Sequence, residues 1–344
     1  MTTYIAHTVR GIEEICLDEL HEKLHVSESQ VLPKKIIFVN GQDVTLFHDL
    51  RTVDDISVLV ADFPFERAFP LSPEQCEKML ESLDFSEVRE KISAHREVNN
   101  TFSITISAPL IKGMSQSELQ QVAAQIITQK TGWEFTEKDH SNFDVRINVE
   151  EHEWYVSVRL FQQPLHDRKQ YNESKTAAVR PTLAAAMIRL LGVNSESKRL
   201  VDNFCGTGTI LCEALAAGYE VWGGDINPEA VSDAKKNLLA SGGNSDQIFV
   251  QDATKTKWSD HYFDAVVTNF PWNEKVKVAS LTTLYKNVVK EYRRITTAGR
   301  SMVFLCKRSD LLTKIVKSEF PHAEINKYEI SINGQDPHIL VVKT

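Results

Sequence analysis

A glycine-bracketed turn is the strongest chemical signal in this 344-residue sequence. An apolar stretch ends at Asp202, the turn Gly206-Thr-Gly208 follows, and a helix is predicted to begin at Thr209. Glycine lets the backbone approach a ligand closely, and a helix N-terminus presents unpaired N–H groups to it. The pattern suits a dinucleotide, S-adenosylmethionine or only a tight turn, so it does not decide the ligand by itself.

Two acids stand at the ends of the next two predicted strands. Asp225 closes Val221-Trp-Gly-Gly-Asp, and Asp252 follows Val250 with Ala253 directly behind it. A carboxylate at the tip of the second strand can bind both hydroxyls of a ribose. An acid at the tip of the third can accept a hydrogen bond from an adenine amino group. Together the two acids favour a cofactor that contains adenosine.

A four-residue motif, Asn269-Phe270-Pro271-Trp272, follows the apolar strand at 265–268 and separates the candidate chemistries. A purine amino nitrogen is a poor nucleophile because its lone pair is delocalised into the ring. The Asn269 side-chain oxygen and a nearby backbone carbonyl could accept its two N–H bonds and aim the lone pair at a sulfonium methyl group. Trp272 could stack on a base extruded from its helix. The motif predicts in-line methyl transfer without a metal or a covalent intermediate.

Regular alternation of strands and helices from about residue 180 would position these groups. The predicted strands are 199–202, 220–224, 248–251, 263–268, 301–306, 324–331 and 338–342, and the predicted helices are 208–217, 228–240, 283–295 and 309–318. The last two strands are separated only by a turn at Asn333-Gly334, so they should pair antiparallel. The pattern predicts an α/β domain with a doubly wound sheet and one terminal hairpin.

The N-terminal half reads as α+β and carries no nucleotide-binding loop. Its predicted elements are a helix at 12–25, strands at 31–40 and 102–107, a helix at 118–131 closed by Gly132, and a hairpin formed by 145–149 and 155–160. The boundary between the halves is expected in the polar stretch 162–175.

Composition limits the partners. The net charge is -8, and residues 1–165 hold 15 Lys and Arg against 27 Asp and Glu, which is -12. RNA binding would therefore depend on local basic patches, since the rest of the chain is only +4. No apolar run reaches about 18 residues and no signal peptide is visible, so a cytoplasmic protein without a membrane span is expected. Five scattered cysteines without a CxxC pair predict neither a zinc site nor disulfides.

These motifs resemble class I methyltransferases that act on amino groups, and more closely the THUMP-containing tRNA guanine-N2 methyltransferases. Residues 175–186 resemble the segment of that family that precedes the first strand and helps build the cofactor pocket. Residues 143–149 and 154–160, followed by Pro164-Leu-His-Asp-Arg168, resemble the end of its THUMP domain. The resemblance implies a Rossmann-like class I methyltransferase domain of seven strands with a terminal antiparallel hairpin, preceded by an α+β THUMP-type RNA-binding region.

The resemblance also implies domain bounds and a site. It divides the chain into an N-terminal ferredoxin-like segment (1–50), a THUMP-like domain (51–165), a linker (166–178) and a methyltransferase domain (179–344). The residues implied to bind S-adenosyl-L-methionine are Thr176, Arg180, Asp202, Phe204, Gly206, Gly208, Asp225, Ile226, Asp252, Ala253 and Asn269. The residues implied to hold the target base are Asn269, Pro271 and Trp272, and those implied to contact RNA are His166, Arg168 and Lys169.

The expected function is methylation of a tRNA guanine at N2, at position 6 or 10. The chain departs from the family pattern at Phe270, where proline is usual, and at Asn273, where glycine is common. Adenine N6 or a glutamine amide would suit the same chemistry. A nicotinamide dehydrogenase would need a third glycine where Leu211 stands. The non-enzyme alternative is an RNA-binding protein with a vestigial methyltransferase fold. Nothing in the sequence indicates a protein partner or a metal.

Overall fold

The fold contains two separate sheets, one in each half of the chain. The computed structural model describes residues 1–64, 73–94, 96–107, 114–136, 141–149, 153–168, 179–192, 199–272, 280–332 and 334–344. Within these ranges no helix is both long and apolar enough to cross a membrane. All five cysteines are buried and free, as expected.

Eight strands of the N-terminal half form the first sheet. They are β1 (Thr2–His7), β2 (Ser29–Leu32), β3 (Lys35–Asn40), β4 (Asp55–Pro64), β5 (Thr101–Ser107), β6 (Glu134–Phe135), β7 (Phe143–Val149) and β8 (Glu153–Arg159). Their order is β2-β3-β1-β4-β8-β7-β5-β6. Because β1 pairs with both β3 and β4, strands on either side of residue 50 share one sheet. The division of this half at residue 50 stays a prediction.

Four helices pack against one face of this sheet. They are α1 (Glu13–Leu24), α2 (Pro73–Glu81), α3 (Ser86–Ser93) and α4 (Gln116–Thr131). A reciprocal capping box between Ser115 and Glu118 begins α4, and Gly132 ends it in the left-handed conformation, as predicted. The apolar sides of helices and sheet share a core around Phe102, Trp133 and Phe143.

The second sheet has seven strands. They are β9 (Arg199–Asp202), β10 (Glu220–Asp225), β11 (Ile248–Val250), β12 (Ala265–Asn269), β13 (Ser301–Cys306), β14 (Glu324–Glu329) and β15 (His338–Lys343). Their order is β11-β10-β9-β12-β13-β15-β14. The first five are parallel, and β15 runs antiparallel to both neighbours. The predicted doubly wound sheet with a terminal antiparallel hairpin is confirmed.

Helices cover both faces of the second sheet, namely α5 (Pro181–Arg189), α6 (Thr209–Ala216), α7 (Pro228–Ala240), α8 (Leu281–Ile295) and α9 (Ser309–Glu319). The chain leaves β9 toward β10 on one side and later returns to β12 on the other. In open α/β sheets, ligands bind outside the carboxyl ends of the strands at such a switch point. The ends of β9, β10 and β12 therefore define where a ligand is expected.

The segment before α1 docks the N-terminal half onto the C-terminal half. Ile12 and Ile15 pack into the core of the second sheet, whereas Leu20 of the same helix packs into the first. Gly11 has φ +98°, and a Cβ there would lie 2.0 Å from the carbonyl oxygen of Glu329. Only glycine allows this close approach, so the two halves contact each other well outside the predicted linker.

Candidate cofactor and target-base site

The glycine turn lies between β9 and α6, as the sequence predicts. Gly206 and Gly208 have φ values of +53° and +86°, which favour glycine. A Cβ on Gly208 would come within 3.2 Å of Ala234 in α7, so this glycine is needed for packing. A Cβ on Gly206 would meet no heavy atom within 4 Å. The turn therefore has open space at the Cβ position of Gly206.

Asp202 is a buried carboxylate with one oxygen that has no hydrogen-bond partner. Its Oδ1 accepts hydrogen bonds from the Thr268 hydroxyl at 2.5 Å and from the Phe204 N–H at 3.0 Å. Its Oδ2 is buried without a hydrogen-bond partner. Burial raises the pKa of Asp202 to about 7, and the nearby Asp225 acts in the same direction. A buried, unpartnered carboxylate oxygen is costly in free energy, which favours a cationic or hydrogen-bonding ligand at this place.

Asp225 ends β10 beside the turn. Its Oδ2 accepts the Gly206 N–H and its Oδ1 accepts the Asn227 N–H, both at 2.9 Å. These two bonds hold the carboxylate in one orientation and leave each oxygen a second lone pair for a ligand. The next residue, Ile226, is 70% exposed, which is unusual for a large apolar side chain. An apolar group beside a fixed carboxylate suits a ligand with a sugar and a flat ring.

The loop after β11 carries the third acid. Asp252 is exposed, and its Oδ1 accepts hydrogen bonds from the Thr254 N–H and hydroxyl, each at 2.8 Å. Ala253 is 5% exposed and Val250 is 49% exposed. The Gln251 N–H donates to the Asp225 carbonyl oxygen at 3.0 Å, which joins this loop to the end of β10.

Asn269 ends β12, and its side chain contacts Trp272. The Trp272 indole N–H donates to Asn269 Oδ1 at 3.1 Å. The Tyr285 hydroxyl of α8 donates to the Pro271 carbonyl oxygen at 2.7 Å. These bonds fix the amide of Asn269 and the path of the motif. An amide oxygen has two lone pairs, so Asn269 can still accept one hydrogen bond from a substrate.

The contacts of Phe270 give a reason for phenylalanine at a position where proline is usual. Its side chain is fully buried, and its ring lies 4.8 Å from that of Tyr285 and 5.7 Å from that of Phe204. Its N–H donates to the Leu305 carbonyl oxygen at 2.9 Å, a bond that proline could not form. Phe270 thus supports the site from behind rather than lining it.

Thr268 joins the two parts of the site and was not predicted. It is fully buried, it precedes Asn269, and its hydroxyl is bonded to Asp202. The turn after β9 and the Asn269 tip of β12 therefore lie side by side, as the in-line geometry requires. The sequence signal that could have identified Thr268 is its position as a polar residue within the apolar run 265–268.

Three of the predicted residues lie at the junction between the halves. Arg180 pairs with Asp54 at 3.1 Å, and His166 Nδ1 lies 3.0 Å from the Asp54 carbonyl oxygen. The Arg168 side chain is 7% exposed and donates to the carbonyl oxygens of Leu165 and Arg51. Thr176 and Lys169 lie outside the described residues. The cofactor and RNA roles of all five stay predictions.

The buried Glu213 of α6 forms ion pairs across this junction. The side chain of Glu213 is fully buried and lies 2.5 Å from Arg51 Nε and 3.5 Å from Arg168 Nε. Arg51 belongs to the N-terminal half, and α6 begins at the glycine turn. The ion pairs therefore connect the N-terminal half to the helix that begins at the glycine turn.

Replacing Glu213 with glutamine is expected to lower the free energy of unfolding by about 3 kcal/mol, because it leaves two arginines without their buried partner. Urea unfolding of the whole chain measures this loss. Glu22→Gln is the matched control, since Glu22 also pairs across the junction, with Arg189 at 2.7 Å, but is 61% exposed. It should cost less than about 1 kcal/mol. Equal costs in the two variants would contradict the structural importance of the buried pair.

Replacing Asp202 with asparagine is expected to stabilise the ligand-free protein more at pH 8 than at pH 5. The raised pKa means that the folded protein keeps this carboxyl proton up to about pH 7. The unfolded chain releases the proton near pH 4, so the contribution of Asp202 to stability falls between about pH 4 and 7. Thermal unfolding at both pH values tests this, with the exposed Asp246→Asn as control. The same change in Tm at pH 5 and pH 8 would count against it.

Comparison with known proteins bears on this site. Residues 168–336 match the family model described as UPF0020, RMKL-like, methyltransferase domain. The chain is 23% identical over 305 residues to the Bos taurus U6 snRNA (guanine-N(2))-methyltransferase THUMPD2, covering 84% of this chain and 58% of that protein. It is 26% identical over 230 residues to the tRNA (guanine(10)-N2)-dimethyltransferase of Methanothermobacter thermautotrophicus, covering 63% and 64%. The chain thus spans about six tenths of the length of these relatives.

Solved structures show the same fold. TrmN from Thermus thermophilus superposes with a TM-score of 0.83 at 20% identity over all of both chains. SMU.472, a putative methyltransferase complexed with SAH, superposes with a TM-score of 0.73 at 18% identity over 99% of this chain and 97% of its own. The C-terminal half therefore has the class I methyltransferase fold, and residues 168–336 are similar to the RMKL-like methyltransferase domain.

Proposed function

We propose that this chain uses S-adenosylmethionine to methylate the N2 amino group of a guanine in tRNA. The observation that carries the proposal is the hydrogen bond between the Thr268 hydroxyl and Asp202, because it joins the strand end that bears Asn269 to the strand end that precedes the glycine turn. A cofactor-binding turn and an amine acceptor at adjacent strand ends are what an in-line methyl transfer needs.

The residues at the turn fit this cofactor. We assign the unpartnered Oδ2 of Asp202 to the ammonium group of the methionine part. The fixed carboxylate of Asp225 can accept hydrogen bonds from the two ribose hydroxyls. The exposed Ile226 offers an apolar surface for the adenine ring. We assign Asp252 and Ala253 to the outer edge of the adenine site. We assign Phe204, Gly206 and Gly208 to the methionine end.

When bound, the cofactor supplies an electrophilic methyl group on a sulfonium sulfur. The chain contributes position: Asn269 Oδ1 accepts one N–H bond of the target amine and so orients its lone pair. The Trp272 indole holds that amide in place, and Tyr285 holds Pro271. Because both supports are themselves fixed by packing, the acceptor is preorganised before the substrate arrives.

The substrate class follows from the relatives and the site together. Two relatives are named guanine-N2 methyltransferases, one for tRNA and one for U6 snRNA. We choose tRNA, with position 6 or 10 as candidate nucleotides, because one of these relatives is named for guanine 10 of tRNA. The other relative makes U6 snRNA the second candidate substrate. Adenine N6 and a glutamine amide would use the same acceptor geometry, but no relative quoted above is named for either.

The experiment is transfer of a tritiated methyl group from S-adenosylmethionine to unfractionated tRNA, followed by nucleoside analysis. Label in N2-methylguanosine supports the proposal, and label in N2,N2-dimethylguanosine would show a second transfer at the same nitrogen. Label only in N6-methyladenosine, or only in protein, would show that the substrate is wrong. A parallel incubation with U6 snRNA separates the two RNA classes.

A further inference from the structure

A small polar cavity in the N-terminal half has no part in the site described above. It has a volume of about 40 Å³, and its lining includes Arg96, Asn142, Asp144, Arg159 and Gln162. A water-sized group needs about 10 to 15 Å³, so the cavity admits about three or four such groups. That is enough for the two non-bridging oxygens of a phosphodiester.

Arg96 is the unusual member of this lining. Its guanidinium donates only to neutral oxygens: the Gln162 side chain, the Asn142 carbonyl at 2.6 Å and the Arg159 carbonyl at 3.4 Å. Its Nε is buried without a partner, and among the described residues no carboxylate pairs with it. A half-buried cation without a counter-charge is costly in free energy unless a ligand neutralises it.

The neighbouring charges do not neutralise Arg96. Asp55 lies 2.6 Å from Arg146 and 2.8 Å from Arg159, and Asp144 lies 3.3 and 3.5 Å from the same two arginines. The charges of Asp55 and Asp144 are therefore balanced by those of Arg146 and Arg159. Arg96 adds one positive charge to these four residues.

Two pKa shifts reflect this positive surrounding. Burial and the adjacent Arg159 lower the pKa of Arg96 to about 10. Burial lowers the pKa of His7 to about 3, with Arg146, Lys35 and Arg159 acting in the same direction. A half of the chain that is acidic as a whole thus contains a local positive patch.

We propose that Arg96 and this cavity bind one phosphate group of the RNA substrate. The proposal rests on the proposed function, which supplies the RNA. The Arg96 guanidinium would donate to the phosphate oxygens and supply the positive charge that no described carboxylate neutralises. Gln162 lies only two residues before Pro164, where the chain enters the junction. A phosphate here would hold the RNA on the N-terminal half while its target base reaches Asn269.

The test measures binding of unfractionated tRNA over a series of KCl concentrations by filter binding. Arg96→Gln removes the charge. Gln162→Glu keeps the Arg96 side chain and places a carboxylate against it, so it remains informative if Arg96→Gln does not fold. Both variants should bind about tenfold more weakly, and the slope of log K against log salt should fall by about 0.7 to 0.9, the value for one phosphate.

Arg89→Gln is the matched control, because Arg89 is an exposed arginine nearby that is bonded only to Asn100 among described partners, at 2.9 Å. It should change the affinity less than twofold. Wild-type affinity and slope in both Arg96→Gln and Gln162→Glu would overturn the proposal. If the two variants lose binding of polyglutamate but keep the wild-type affinity for tRNA, the cavity binds an acidic peptide. If inorganic phosphate stabilises the wild-type protein and the variants keep the wild-type affinity for tRNA, the cavity binds a free anion. Either result overturns the proposal.

Methyl transfer separates this proposal from the proposed function. At saturating tRNA the two variants should keep the wild-type kcat, because the cavity lies apart from the turn and the Asn269 tip. A lowered kcat with unchanged tRNA affinity would contradict a binding role. If wild-type protein binds tRNA through the cavity but methylates no guanine, the proposed function fails and the phosphate site stands.

Discussion

Replacing Asn269 with alanine is expected to lower kcat about 100-fold or more while the affinity for S-adenosylmethionine stays unchanged. The variant removes the oxygen that accepts the amine N–H, so the lone pair is no longer aimed at the methyl group. It also leaves the Trp272 indole without its acceptor, which adds mobility on the base side of the site. Single-turnover methyl transfer to tRNA measures the rate, and calorimetry measures cofactor binding.

Asn326→Ala is the matched control for this variant, because Asn326 is an exposed asparagine at the edge of the same sheet, on β14. It should have the wild-type rate. If Asn269→Ala turns over at the wild-type rate, the amine acceptor lies elsewhere. If it loses both rate and cofactor affinity, the residue belongs to the cofactor pocket rather than to the target-base site.

Replacing Asp225 with asparagine is expected to weaken S-adenosylmethionine binding about 100-fold and to lower Tm modestly, because the amide keeps only one of the two oxygens that accept backbone N–H groups. An isosteric amide keeps one oxygen but loses the charge and one acceptor, and hydrogen bonds to a charged group contribute about 1.5 to 3 kcal/mol each. The backbone bonds from Gly206 and Asn227 hold this carboxylate in one orientation. Isothermal titration with S-adenosylmethionine and with S-adenosylhomocysteine measures the loss.

Asp246→Asn serves as control, since this exposed aspartate lies in the short 3-10 helix before β11, at the opposite end of that strand from Asp252. Its affinity should match the wild type. Wild-type cofactor affinity in Asp225→Asn would refute the ribose assignment. An equal loss for adenosine alone and for the whole cofactor would place the contact on the nucleoside, as the assignment requires.

Much of the C-terminal fold was predictable because β9, β12, β13 and β15 are buried along most of their length and read as short apolar runs. The turn at Gly206 and Gly208 and the acids at 202 and 225 follow such runs directly, so local pattern was enough to place them. Parallel order could then be inferred from strand and helix alternation. The sequence also predicted α1 and α4 closely, since both have helical spacing and α4 has clear end signals.

The N-terminal sheet was less predictable. The single strand expected at 31–40 is two strands, β2 and β3, because the chain turns at Pro33-Lys34, where Lys34 has φ +67°. The central strands β1 and β4 were not identified, although β4 joins the two parts of the sheet. Their pairing depends on partners far along the chain, which periodicity does not reveal.

The same limit applies to the functional residues. The bond from Thr268 to Asp202 joins residues 66 positions apart, and the pair of Arg51 and Glu213 joins residues 162 positions apart. Arg96 stands among ordinary charged residues in the sequence, and only the structure shows that its neighbours leave it without a counter-charge. The chemistry of a motif can be inferred locally, whereas its supports depend on the tertiary fold.

The most direct measurement is a crystal structure of this chain with S-adenosylhomocysteine. We expect the sulfur between the Gly206–Gly208 turn and the Asn269 side chain, with the ribose on Asp225 and open space beyond the sulfur on the Asn269 side. A ligand bound at another place, or packed side chains between the sulfur position and Asn269, would contradict methyl transfer at this site.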